Sequence, residues 1–252
     1  MSTSNHGSQT IYNGVHLGPS LTSSDLLPLQ NSDSSDYNYN LLLSSGSSTR
    51  RLILDSIPIR YEVMVKPVDE RDIGTELRAE GSIESATKLV SLLAKVKREG
   101  VLEELRNQGI YSERIVLTAD QVVTHPELGI LEKPEDREEA EKFMKAYAST
   151  PRVTTVGSVM LTSYPSLKTS LQTFTSTVHF NSSLLTSDLL KPSNLLDRLL
   201  SSNAPVYECA GGLMIENEMV KEFIVRVDGS EDSVLGLSRR AVLECFRELR
   251  GM

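Results

Sequence analysis

Ile115-Val116-Leu117-Thr118-Ala119-Asp120-Gln121-Val122-Val123 opens with a nearly continuous apolar run. A half-exposed strand alternates apolar and polar residues. A run that is apolar throughout reads instead as a central strand covered on both faces. Asp120 directly follows the run, at the carboxyl edge of the sheet that such a strand implies, where open α/β sheets bind ligands. The same position also suits a solvated acid or a helix cap where the strand emerges.

Around that strand, apolar periodicity outlines the other elements. Leu41-Leu42-Leu43 reads as a strand, followed by a Ser/Gly loop and a short helix over Arg50 to Ser56, stopped before Pro58. Tyr61 to Val65 alternates and reads as a strand. Ile83 to Gln108 reads as one amphipathic helix, or as a pair broken at Gly100. Glu135 to Ala148 is a helix with acids in its first turn. Val153 to Thr162 and Gln172 to Phe180 are β-rich, and Leu184 to Leu200 is helical with an interruption at Pro192. Glu218 to Val227 and Arg239 to Leu249 read as helices. Alternating strands and helices make the class α/β.

The chain has 252 residues, 39% hydrophobic and 24% charged, ordinary values for a globular protein. A formal net charge of -8 argues against sequence-independent binding to nucleic acid, which needs clustered cations. No apolar run approaches a membrane span. Two cysteines, Cys209 and Cys245, make neither a disulfide framework nor a metal-type spacing. Residues 1–38 are rich in Ser and Asn and lack Lys and Arg, so they read as a leader with too few apolar anchors to fold. The ordered domain is then 39–252. The leader has the wrong composition for a transit or secretory signal, which makes the cytoplasm the default location.

Three stretches carry candidate chemistry. Ser44-Ser45-Gly46-Ser47-Ser48-Thr49-Arg50 is a small-residue loop leading into a helix, a pattern that lets backbone N–H groups approach phosphate oxygens. It is equally the pattern of a solvated loop. Within it, Ser45 offers a hydroxyl and Arg50 a planar fork matched to phosphate. Asp120 supplies one carboxylate. Glu208-Cys209-Ala210-Gly211-Gly212-Leu213-Met214-Ile215-Glu216 is a glycine turn that delivers another, Glu216, in an apolar setting. A carboxylate there needs a partner or faces solvent. Glu70 follows a strand, and Lys133 precedes a helix; both also suit plain surface positions. Cys209 reads as a small buried apolar residue. His125 and His179 have no companions at triad or metal-ligand spacing.

From about Leu41 to the end, these elements in this order resemble the Maf family of nucleotide pyrophosphatases. The family's S-x-S-P-R-R loop is similar to Ser45-Gly46-Ser47-Ser48-Thr49-Arg50, and its D-x-D-E element to Pro67-Val68-Asp69-Glu70. Its A-D-T-V-V strand end resembles Ala119-Asp120-Gln121-Val122-Val123, and its G-K-P element resembles Glu132-Lys133-Pro134. Thr155-Val156-Gly157, the late turn Glu208 to Glu216, and Leu235-Gly236-Leu237-Ser238 complete the series. Three departures, Thr49, Gln121 and Glu216, together with Cys209-Ala210-Gly211, resemble the branch that hydrolyses 7-methylguanosine triphosphate.

The resemblance implies a Maf/ITPase-like two-lobed fold, with a twisted mixed sheet around a central cleft, and a homodimer. It implies hydrolysis of a nucleoside triphosphate to a monophosphate and pyrophosphate. Asp120 would be the general base and Glu70 would help it hold a divalent cation (Mg, Mn or Co). Ser45, Arg50 and Lys133 would bind phosphate oxygens, while Thr49, Gln121 and Glu216 would shape the base pocket. An ionised Glu only accepts hydrogen bonds, and guanine presents N–H donors. The altered loop (Ser48, Thr49) keeps a second reading open, a non-catalytic nucleotide-binding module on the same fold.

Overall fold

The computed structural model describes residues 9–29, 40–70 and 72–251. In chain order the strands are β1 (Gln9–Tyr12), β2 (Val15–Pro19), β3 (Leu41–Ser44), β4 (Tyr61–Val63), β5 (Arg114–His125), β6 (Gly129–Leu131), β7 (Arg152–Tyr164), β8 (Thr169–Phe180) and β9 (Ile224–Asp228). The helices are α1 (Ser48–Asp55), α2 (Thr75–Glu80), α3 (Ile83–Asn107), α4 (Arg137–Ser149), α5 (Ser182–Leu189), α6 (Leu195–Ser201), α7 (Glu218–Lys221), α8 (Glu231–Val234) and α9 (Arg239–Arg250). Strands and helices alternate through most of the chain, so the α/β class holds.

Seven strands form one mixed sheet in the order β4-β3-β5-β7-β8-β9, with β6 added on β5. β3 lies parallel to both β4 and β5; β5, β7, β8 and β9 run antiparallel in turn. β5 sits at the centre. Its Val116, Leu117, Ala119, Val122 and Val123 are all buried, which is why its sequence is apolar on both faces. One face carries α3, held by Leu89, Val90 and Leu93 against Val122 and Val156. The other face holds the main core, including Leu117, Ala119, Val159 and Phe246.

α3 runs unbroken through Gly100. A single helical glycine costs about 1 kcal/mol relative to alanine, and the buried stripe of Leu89, Leu93, Val101 and Leu105 outweighs it. The helix expected over Glu218 to Val227 is confined to Glu218–Lys221, and Ile224–Asp228 is a strand paired with β8. The β-branched Ile224, Val225 and Val227 are stiff at χ1 and pack better on a pleated surface than on a helix.

The leader requires a larger correction. Residues 1–8 and 30–38 lie outside the described residues, but 9–29 are folded. β1 and β2 form a hairpin across Asn13-Gly14, both at positive φ, the dipeptide that two-residue hairpin turns favour. A short helical turn, Leu27–Leu29, follows. Leu17 and Leu29 are fully buried in the main core, and the Arg250 guanidinium donates to the Pro28 carbonyl at 2.8 Å. The composition was misleading because a few well-placed apolar side chains suffice when a domain surface is present to receive them. Leu17→Ala is expected to lower the unfolding free energy by about 2–4 kcal/mol, measured by urea denaturation. An unchanged midpoint would show that the hairpin contributes nothing to the folded state.

Candidate functional site

β3 pairs with β5 as far as Ser44 against Thr118, and β6 takes up the same edge again at Val123 against Leu131. Residues 119–122 are therefore left with a bare edge on that side, while β7 pairs with them on the other. A cleft of about 520 Å³ opens there. Thr49, Arg50, Glu70, Asp120, Gln121, Lys133 and Glu216 all line it, drawn from five separate segments of chain.

Side chains alternate along β5. The Thr118 hydroxyl donates to the Ala94 carbonyl of α3 at 2.9 Å, so Asp120, two residues on, also faces α3. There it meets Lys97, whose ammonium contacts the Asp120 carboxylate and lies 3.1 Å from that of Glu70. Asp120 is almost fully buried. Burial pushes its carboxyl above the ordinary carboxylate range, and the Lys97 and Arg50 charges pull it back.

Arg50, in the first turn of α1, closes the bare edge. Its NH1 donates to the Ala119 carbonyl at 3.1 Å, and its Nε donates to the Gly236 carbonyl at 2.9 Å. Ser47 caps α1 by accepting from the Arg50 backbone N–H, and its hydroxyl pairs with that of Thr49 at 2.8 Å. Ser45 is placed differently from the other expected residues. It is buried behind the cleft, its hydroxyl accepting from the Ser47 N–H at 3.2 Å and facing Arg50 NH1 at 3.5 Å. It supports Arg50 and does not line the cavity.

Gln121 points to the opposite face from Asp120. Its amide nitrogen donates to the carbonyls of Ser233 at 3.1 Å and Val234 at 2.8 Å. The late turn is pinned by Gly211, at φ +64, where a Cβ would come within 2.7 Å of the Tyr147 hydroxyl. Its N–H donates to the Glu132 carbonyl at 2.7 Å, and its carbonyl accepts from Tyr147 at 2.7 Å. Glu216 beyond it has an oxygen, Oε2, that is buried without a hydrogen-bond partner. Burial raises its pKa. Burial also pushes the Cys209 thiol up to about 11, which leaves it a protonated, poor nucleophile. Lys133 is exposed at the cleft mouth.

Two functional candidates escaped the sequence reading. Lys97 occupies the fourth-residue series Leu89, Leu93, Lys97, Val101, Leu105, the one cation in an otherwise apolar stripe. That interruption was a usable signal. Arg78 of α2 forms a two-pronged pair with Glu132, at 2.9 and 3.0 Å, and donates to the Glu70 carbonyl at 3.3 Å. Nothing in the local sequence marks it.

No group of three or more His, Cys, Asp or Glu side chains able to hold a metal occurs among the described residues. Glu70 and Asp120 nevertheless reach the same Lys97 ammonium, so their carboxylates are close neighbours. Mg²⁺ is commonly bound by one or two carboxylates completed by substrate phosphates, and this pair fits that pattern. Among the described residues the cleft also carries six acids (Asp69, Glu70, Asp120, Glu132, Glu208, Glu216) against four cations (Arg50, Arg78, Lys97, Lys133). A polyphosphate entering such a lining needs added positive charge.

A family model described as Maf-like protein matches residues 40–249. The chain belongs to this family. Among its Maf-like relatives, the dTTP/UTP pyrophosphatase of Salinibacter ruber is 29% identical over 208 residues, covering 82% of this chain and 89% of that protein. The nucleoside triphosphate pyrophosphatase of Prochlorococcus marinus is 27% identical, covering 78% and 90%. The 7-methyl-GTP pyrophosphatase of Idiomarina loihiensis is 33% identical over 107 residues, covering 42% and 48%. No helix among the described residues is long and apolar enough to cross a membrane.

The unpartnered Glu216 oxygen has a consequence for stability. Its folded-state pKa lies above its unfolded value, so ionising Glu216 disfavours the fold. That penalty is absent below the unfolded value and grows as pH rises from it to the folded value. Glutamine carries no charge at any pH. Glu216→Gln is therefore expected to raise the melting temperature at pH 7, with the gain fading below about pH 4. Calorimetry across that range checks it; a lower melting temperature at pH 7 would mean that the carboxylate has a stabilising partner.

Proposed function

We propose that the chain hydrolyses nucleoside triphosphates between the α- and β-phosphates, yielding a nucleoside monophosphate and pyrophosphate. The observation that carries this reading is the buried Asp120 carboxylate, held in an open cleft beside Lys97, Glu70 and Arg50. The pyrophosphatase activities for which the relatives from Salinibacter ruber and Prochlorococcus marinus are named, each matched over most of its length, support the reaction class.

Asp120 takes the proton of the attacking water. The water oxygen bonds to the α-phosphorus, the bond to the bridging oxygen breaks, and its electron pair leaves with pyrophosphate. A raised pKa suits Asp120 to this task, because a base nearer the working pH accepts a proton more readily. Arg50, Lys97 and Lys133 hold phosphate oxygens and offset the charge that develops on them. A divalent cation (Mg, Mn or Co), held by Glu70 and Asp120 when bound, supplies further positive charge and lowers the pKa of the water. Asp120→Asn is expected to slow pyrophosphate release by about 10²–10⁴-fold. Undiminished turnover would remove Asp120 from the base role. Tight binding of triphosphates with no pyrophosphate released by the wild type, across Mg²⁺, Mn²⁺ and Co²⁺, would favour a non-catalytic binding module instead.

The finer reading is a purine base with N–H donors, 7-methylguanine above all. Glu216 Oε2 supports it, because a buried acceptor without a partner calls for a donor from the ligand. The ring of 7-methylguanosine is also positively charged, which a neighbouring carboxylate favours. The partial match to the Idiomarina loihiensis protein is in keeping with this choice. We expect a higher kcat/KM for 7-methylguanosine triphosphate than for thymidine or uridine triphosphate. Glu216→Gln should erode that ratio more than it lowers activity overall, as steady-state kinetics on the three substrates would reveal. A wild-type preference for the pyrimidine nucleotides would discard the base assignment and leave the reaction class standing.

A further inference from the structure

The segment from Asp232 in α8 to Arg239, the first residue of α9, forms one wall of the cleft through Val234, Leu235 and Gly236. Its carbonyls hold two of the site residues. Ser233 and Val234 accept from Gln121, and Gly236 accepts from Arg50. Where Gln121 and Arg50 stand therefore depends on where this segment stands.

The segment is fastened from behind. Asp232 and Arg239, at its two ends, form an ion pair at 2.9 Å whose side chains are only 4% and 3% exposed. The Arg239 backbone N–H donates to the same Asp232 oxygen at 3.1 Å, and the Ser230 hydroxyl donates to the other at 2.6 Å. The far side of the Arg239 guanidinium reaches the N-terminal hairpin. Its NH2 donates to the Leu17 carbonyl at 2.8 Å and the Pro19 carbonyl at 3.0 Å, both in the N-terminal hairpin. The hairpin also lies close to α8: at Gly18, with φ +83, a Cβ would lie 2.7 Å from the Glu231 carboxylate and 3.3 Å from both the Glu231 backbone nitrogen and the Ser230 Cβ.

We propose that Arg239 is a positioning residue for nucleotide binding, clamping the α8–α9 segment to the N-terminal hairpin and thereby setting Gln121 and Arg50 in the cleft. This rests on the nucleotide reading of the cleft. Only Arg fits the role, because a planar fork reaches the carboxylate on one side and two carbonyls on the other, which a lysine ammonium cannot span.

The test compares Gly18→Ala and Arg239→Lys with Gly14→Ala in the full chain. Gly14 has a similar backbone, φ +79, but a Cβ there meets nothing within 4 Å. Two quantities are read, both well below each variant's melting temperature. One is KM and kcat for thymidine and 7-methylguanosine triphosphates. The other is hydrogen exchange at the Leu237 amide, which donates to the Asp232 carbonyl at 3.2 Å. Gly18→Ala and Arg239→Lys should raise KM and lower kcat, together cutting kcat/KM by about tenfold, short of the roughly hundredfold that a 1 Å misplacement can cost. Both should also speed exchange at Leu237, while Gly14→Ala changes neither quantity. A purely structural role would lower the melting temperature and leave KM alone. That outcome, or unchanged exchange at Leu237, would overturn the proposal. If the wild type neither binds nor hydrolyses a triphosphate, the nucleotide reading itself fails. Exchange at Leu237 in Gly18→Ala then decides by itself whether the clamp exists.

Discussion

One ammonium group, that of Lys97, stands against two carboxylates, Asp120 and Glu70, that would otherwise repel each other in a half-closed cleft. An unpaired charge removed from water costs several kcal/mol. The fold therefore has to bring α3 to one position along β5 and no other. It does so with neighbouring polar bonds: Thr118 donates to the Ala94 carbonyl and Ser158 to the Val90 carbonyl, one and two helical turns before Lys97. A slip of one residue in β5 would turn Asp120 to the opposite face and leave Lys97 facing apolar side chains.

The bare edge of β5 is the second constraint. A central strand normally has both edges paired, and here the pairing is interrupted for four residues between β3 and β6. Arg50 covers part of the gap by donating to the Ala119 carbonyl, so the same guanidinium satisfies the backbone and presents positive charge to the cleft. With six acids against four cations among the described residues, the lining carries a net negative charge.

The N-terminal hairpin and the candidate cleft are joined. The hairpin at the N-terminal end lies on α8 and α9 near the C-terminal end, and the Arg239–Asp232 pair is buried between them. Breaking one member of such a pair leaves an uncompensated charge, so the hairpin is tied to the domain by polar bonds as well as by Leu17 and Leu29. The backbone on the other side of that pair is the backbone that holds Gln121 and Arg50.

The sequence by itself determined the α/β class, the central strand that carries Asp120, the glycine turn before Glu216 and the loop that leads into Arg50, but not that this strand continues past Asp120 to His125. Each is written locally, in the apolar run of β5, in the paired glycines Gly211-Gly212 of the turn, and in the serine that caps α1. The hairpin's Asn13-Gly14 turn was legible too, but composition spoke against it, since a segment poor in apolar residues folds only on a surface that other segments supply. Lys97 was marked in the sequence only as a break in an apolar stripe; its partners, like those of Arg78 and Arg239, were decided by tertiary structure. A cation on a helix reads the same whether it faces water or a carboxylate, and its partners lie about 23, 54 and 222 residues away along the chain. Which of them it meets depends on the face that packs and on the register of the strand beneath, and neither is encoded in the residues beside it.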